Sequence, residues 1–199
     1  MMNLHFLQKY LPDGGLFFIV KWLKPYACTI KITHSRRSKL GDFRYRLNGP
    51  HQISINGDLE AQLFFFVLTH EIAHLISFAA KKKILPHGKE WKCCYRDLLL
   101  ESLSIYQKDF QTLVKNFSKN PKASYNAASE IVRYFSPHVP EHFFIEDLHI
   151  GHFFEYQRQT FQILKIRKKR YICKNINSGK EYLFNTCVQV RKLTCNDRE

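Results

Sequence analysis

The hydrophobic positions of this chain change their period several times, and each change marks an element. Up to Lys24, apolar clusters alternate with Lys and Gln at helical spacing, interrupted by Pro12-Asp13-Gly14-Gly15. That pattern predicts a short helix, a turn and a second helix ending near Pro25, with Leu16, Phe17, Ile19, Val20 and Leu23 in the core. Residues 28–33 alternate with a period of two and are rich in β-branched side chains, the mark of a half-buried strand. Residues 40–47 and 52–56, joined through Asn48-Gly49-Pro50, predict two antiparallel strands about a turn. Asn56-Gly57-Asp58 then ends a strand and caps a largely apolar helix running from about Leu59 to Ala80. A further helix is expected over 89–100, and two more between 101 and 137, separated by Ser118-Lys119-Asn120-Pro121.

From Ile145 the pattern turns to aromatic and β-branched alternation over 153–156, 160–165, 170–174 and 181–184, with Asn177-Ser178-Gly179-Lys180 as a hairpin turn. This predicts a small antiparallel sheet of roughly three to five strands. The fold class is therefore α+β. The expected organisation is a core over 1–100 built from a small antiparallel sheet and helices, a helical connecting segment over 101–144, and a small basic β-rich tail over 145–199.

Charge changes this picture more than composition does. Of the 199 residues 45% are hydrophobic, a globular content, but the formal net charge is +14, an excess that favours polyanions such as nucleic acid. The candidate phosphate contacts are Arg36, Arg37 and Lys39 in one basic run and Lys165, Arg167, Lys168, Lys169 and Arg170 in another. The competing reading is a solvated loop and a strand edge guarded by lysine. Cys28, Cys93, Cys94, Cys173, Cys187 and Cys195 form no regular framework, and the N-terminus lacks a signal-peptide pattern, so free thiols in a reducing cytoplasm are expected. No segment is expected to supply the roughly 20 apolar residues of a membrane span.

The chemistry concentrates in His70-Glu71-Ile72-Ala73-His74. Histidines four apart on a helix share a face and can reach one metal ion, while Glu71, displaced around the helix, is placed to act on a water as catalytic base. A histidine six residues after His74 would mark another ligand pattern, but Ala80 stands there. His87, after the loop 81–86, is the expected third ligand of an open, three-histidine zinc centre; Glu90 is the reserve ligand, and Glu101 the other carboxylate at longer spacing. Tyr95 and Arg96 are the nearest candidates for an oxyanion partner.

These residues resemble a family. His70-Glu71-Ile72-Ala73-His74, His87-Gly88-Lys89-Glu90-Trp91-Lys92, Leu40-Gly41-Asp42-Phe43-Arg44 and Ile53-Ser54-Ile55-Asn56-Gly57-Asp58-Leu59 are together similar to the SprT-like metalloproteases, the group containing Spartan, and most nearly to its compact bacterial members. The resemblance covers about residues 5 to 100. It implies a zincin-like protease core with one zinc ion on His70, His74 and His87, Glu71 as base, and proteins as substrates, DNA-crosslinked proteins among them. Many such proteins end in a zinc ribbon with paired cysteines; here no C-x-x-C occurs, and the tail resembles a ribbon without its metal. The rival expectation is a DNA-associated binding protein whose zinc site is structural or weakly active, and the same chemistry would also serve a non-peptide amide.

Overall fold

The computed structural model describes residues 4–36, 38–80, 84–168 and 170–193. Arg37, Lys169, Cys195 and the Lys81-Lys82-Lys83 run lie outside them. The chain divides into two compact units, Met1–Ala123 and Ser124–Glu199.

In the first unit a 3-10 helix, His5–Tyr10, leads into α1, Gly15–Leu23, and then β1, Cys28–Thr33. Leu7, Ile19, Trp22 and Leu23 of this region are buried, but Phe17 and Val20 are 66% and 47% exposed. The expected core therefore needs correction: a nine-residue helix buries only the stripe that meets its neighbours, and Trp22 takes the place assigned to Phe17 and Val20. β2, Gly41–Arg44, and β3, His51–Asn56, pair antiparallel, as their pattern predicts. β1 runs parallel to β3, so the sheet, ordered β1-β3-β2, is mixed where an antiparallel one was expected. The period-two pattern of β1 reports its burial and carries no information on direction.

Arg36 ties the intervening loop to this sheet. Its guanidinium donates to Asn56 Oδ1 at 2.7 Å and to Ser54 Oγ at 3.1 Å, while the Asn56 amide donates to the Arg36 and Lys39 carbonyls.

The centre of the unit is α2, Ala61–Ala80, which packs against α1, β2, β3 and the following helix. Its cap is Glu60 rather than Asp58: the Glu60 carboxylate accepts the N–H groups of Gln62 and Leu63 at 2.9 and 3.2 Å. Contrary to expectation, α2 is long and apolar enough to cross a membrane. Most of it is buried inside the unit, Phe64, Phe65, Leu68, Ile72 and Leu75 completely, which accounts for its composition as that of a core helix. Its polar side chains are satisfied locally. Thr69 and Ser77 donate to the carbonyls of Phe65 and Ala73, and Gln62 Oε1 accepts the Gln107 N–H. α3, Lys89–Glu101, and α4, Lys108–Ser118, complete the unit as the apolar period predicts.

The second unit holds α5, Ser129–Phe135, and a six-stranded antiparallel sheet in the order β4-β9-β5-β6-β7-β8. Its strands are β4 (His142–Phe144), β5 (Phe153–Tyr156), β6 (Gln159–Arg167), β7 (Arg170–Asn175), β8 (Glu181–Asn185) and β9 (Gln189–Leu193). The alternating pattern anticipates β5, β6, β7 and β8 and the turn at Gly179, whose φ is +68°. It misses β4 and β9: three residues are too few to show a period, and β9 carries Arg191 and Lys192 beside its two buried residues. Phe154, Phe161, Ile163, Tyr171, Cys173 and Phe184 form much of the core, so Cys173 is a buried small apolar residue, whereas Cys93, Cys94 and Cys187 are half-buried.

Burial pushes the Cys28 thiol up to about 11 and the Cys173 thiol up to about 12. Reaction with iodoacetamide requires the thiolate. Both residues should stay unmodified in native protein at pH 8 and react once it is denatured, as peptide mass spectrometry will show; rapid native labelling of either would contradict this core.

Candidate metal centre

The helical spacing of His70 and His74 and the turn at residues 85–88 bring three imidazoles together. His74 Nε2 lies 3.2 Å from His70 Nε2 and 3.0 Å from His87 Nε2, and one ligand atom from each residue lies within 4.8 Å of the other two. Nitrogens about 2.0–2.1 Å from a tetrahedral zinc ion are about 3.3 Å apart, so the spacing fits such an ion. Neutral imidazoles offer lone pairs, and here three of them point at one another. The group could therefore hold a metal ion.

His87 reaches the cluster through Leu85-Pro86-His87-Gly88. The Gly88 N–H donates to the Leu85 carbonyl at 2.9 Å, Pro86 takes the second position and His87 the third with φ +60°. That is the conformation a type II turn demands of its third residue. Gly88 itself has an ordinary φ of −70°. Its glycine identity answers a close approach, since a Cβ there would stand 2.9 Å from the Leu85 carbonyl oxygen.

Trp91 backs the cluster. Fully buried, it packs its ring 4.7 Å from those of His70 and His87 and 5.2 Å from that of His74. Phe43 lies parallel to His74 on another side. These aromatic walls restrict the imidazoles to a few orientations and strip water from them. Burial, then the neighbouring imidazoles, hold His70 well below its usual range; burial and His87 bring His74 down to about 4, and burial lowers His87. All three are neutral at physiological pH, the form that ligates.

Glu71 is buried beside β2. Burial and, secondarily, the Asp42 carboxylate push it up to about 8, against the Phe43 backbone N–H and the more distant Arg36 and Lys39. A divalent cation on the imidazoles acts in the opposite direction and favours the ionised carboxylate. The strand comes this near because residue 41 is glycine: a Cβ there would lie 2.6 Å from Glu71 Oε1 and 2.9 Å from Val67 Cγ1. Gly41, Phe43 and Trp91 were not anticipated as builders of the site. A small residue facing a helix that carries an isolated buried acid was the available signal for the first of them.

The other expected residues lie elsewhere. Glu90 is exposed and outside the three-histidine group, and Glu101 binds Lys21 and the Trp22 indole N–H. The Tyr95 hydroxyl donates to the Phe66 carbonyl at 3.1 Å, and exposed Arg96 pairs with Asp97. Of the basic residues, Arg36 serves the loop described above and Lys39 pairs with Asp42 at 2.8 Å. Lys165, Arg167, Lys168 and Arg170 are exposed around the β6–β7 turn.

Compared with family models, curated proteins and solved structures, the chain matches none.

Two outcomes follow from this geometry. Gly41→Ala should cost about 1–3 kcal/mol in chemical denaturation, because neither a buried carboxylate nor a helix can easily give way; an unchanged midpoint would show that the strand does not press on Glu71. The second concerns metal-stripped protein. Histidines whose folded pKa is depressed contribute stability that is complete above the unfolded value of about 6.5 and is lost as pH falls towards the folded one. Denaturation in chelator should therefore show stability falling from pH 6.5 towards about 4, by up to about 1.4 kcal/mol per pH unit for each such histidine, less an opposing contribution from Glu71, whose raised pKa adds stability as pH falls from about 8 towards its unfolded value of 4.5. A flat profile would refute the packing of the cluster.

Proposed function

We propose that the first unit is a zinc-dependent peptidase with a zincin-like core, of the SprT-like kind its motifs resemble. The observation that carries this reading is the convergence of three Nε2 atoms with a buried carboxylate one residue along the same helix. Imidazole suits several transition metals, and tetrahedral spacing favours zinc among them. The ion would supply Lewis acidity, acidifying water and polarising a carbonyl. Glu71 then takes a proton from the water and returns it to the leaving amine, the two-way role of one carboxylate in amide hydrolysis. Phe43 orients that carboxylate through its N–H, and Trp91 keeps the imidazoles in register.

The expected substrates are proteins, including those bound or crosslinked to DNA, within a reducing cytoplasm. The exposed basic turn between β6 and β7 is the place proposed for DNA. One observation favours the rival reading, a DNA-associated binding protein with little turnover: 19 Lys and Arg against 9 Asp and Glu in Met1–Ala123 leave +10 of the charge on this unit.

Zinc-loaded protein should carry one zinc per chain and cleave an unfolded protein, with a DNA-crosslinked protein tested beside the same protein free. Chelation should stop cleavage and added zinc restore it. Glu71→Gln should keep its zinc and cleave about 100-fold slower or worse. Undiminished proteolysis by that variant would overturn the mechanism, and salt-sensitive DNA binding with no cleavage of any substrate would favour the rival.

A further inference from the structure

Beside the metal centre, on the same unit, a groove of about 350 Å³ begins at His87 and follows α3. One wall carries Lys89, Lys92 and Arg96, which the helical period places on one face, and the other is the end of α4 with Lys119 and Asn120. Among the described residues its lining includes four cationic side chains and no carboxylate. Lys92 and Lys119 are held by amide oxygens, those of Asn120 and Asn116, and Arg96 pairs with the exposed Asp97, a surface pair that exchanges readily. The salt-bridged Lys39 and the Arg36 strut are already committed within the fold; these cations are available to an incoming anion.

Resting on the peptidase reading, we propose that this groove is a specificity subsite that takes acidic side chains of a polypeptide substrate next to the bond at the metal centre. His87 belongs both to the imidazole cluster and to the groove wall, so a chain crossing the cluster continues directly into the groove. From Lys89 to Arg96 is about 10 Å along the helix, the length of about three extended residues. The volume is at the low end of ligand pockets and suits a few side chains. Selection comes from charge complementarity. Two or three partly screened ion pairs together amount to about tenfold.

The test uses the full chain carrying Glu71→Gln, zinc-loaded, and reads fluorescence anisotropy of a labelled decapeptide rich in Glu beside its Gln counterpart. The Glu peptide should bind about tenfold tighter, the difference should vanish at high salt, and combining Lys92→Glu with Arg96→Glu should abolish or invert it. Zinc content reports whether that variant is intact, and the salt series on the parent decides the question if it is not. Equal binding of the two peptides overturns the proposal. So does a single-stranded oligonucleotide of equal charge that binds tighter than the Glu peptide and loses that affinity in the double variant, which would assign the groove to phosphates. Cleavage of both peptides by the chain with Glu71 separates the two readings. Glu preference in binding without cleavage of either peptide removes the peptidase and leaves the groove; cleavage of both without preference removes the groove and leaves the peptidase.

Discussion

A helix buried on most of its surface must satisfy every polar group it carries from within, and the first unit follows from that constraint on α2. Thr69 and Ser77 return their hydroxyls to the helix itself, and Gln62 receives the backbone N–H where α4 begins. Glu71 and the two histidines have no such local solution. They require a strand, a second helix and a turn brought to the same point, so β2, α3 and the loop bearing His87 are arranged around them. The same burial that supplies the core's stability also sets the protonation of these side chains.

The resulting electrostatics are one-sided. Burial drives three imidazoles and one carboxyl towards their neutral forms, so the metal-free centre is nearly uncharged and rich in lone pairs. A divalent cation reverses the preference of the carboxyl and satisfies the imidazoles at once. Beyond this neutral centre the charge is strongly positive, and the α3 groove joins the two regions within a few residues of His87.

Much of this was legible in the sequence, because it rests on local periods. The spacing of His70 and His74, the extents of α1, α3 and α4, and the strand at 28–33 follow from 3.6-residue and two-residue repeats, and the β2–β3 pairing from its turn. What escaped depends on contacts distant in the chain. The parallel direction of β1 is set by how the polypeptide returns from β1 to β3, which side-chain alternation does not encode. Phe17 and Val20 are apolar but lie off the stripe by which α1 meets its neighbours. Arg36 reads as a free cation in a basic run, yet Asn56, twenty residues later, makes it an internal strut. Gly41 appears to sequence inspection as one more strand-end glycine until Glu71 is seen against it.

The third imidazole differs in kind from the other two. His70 and His74 stand on a rigid helix and keep their places whatever occupies the centre, whereas His87 sits in a turn and holds a left-handed backbone that a side chain adopts at a cost of about 1 kcal/mol or more. The hydrogen bond from Gly88 to Leu85 and the packing of the His87 ring against Trp91 hold it there, and binding of the proposed ion would add to them. For the proposed ion the consequence would be an order of assembly: it would arrive first on the two-histidine helix, be locked from the loop side, and depart by the reverse route. Exchange rates would accordingly be governed by the backbone at residues 85–88 more than by the helix that carries the recognisable motif.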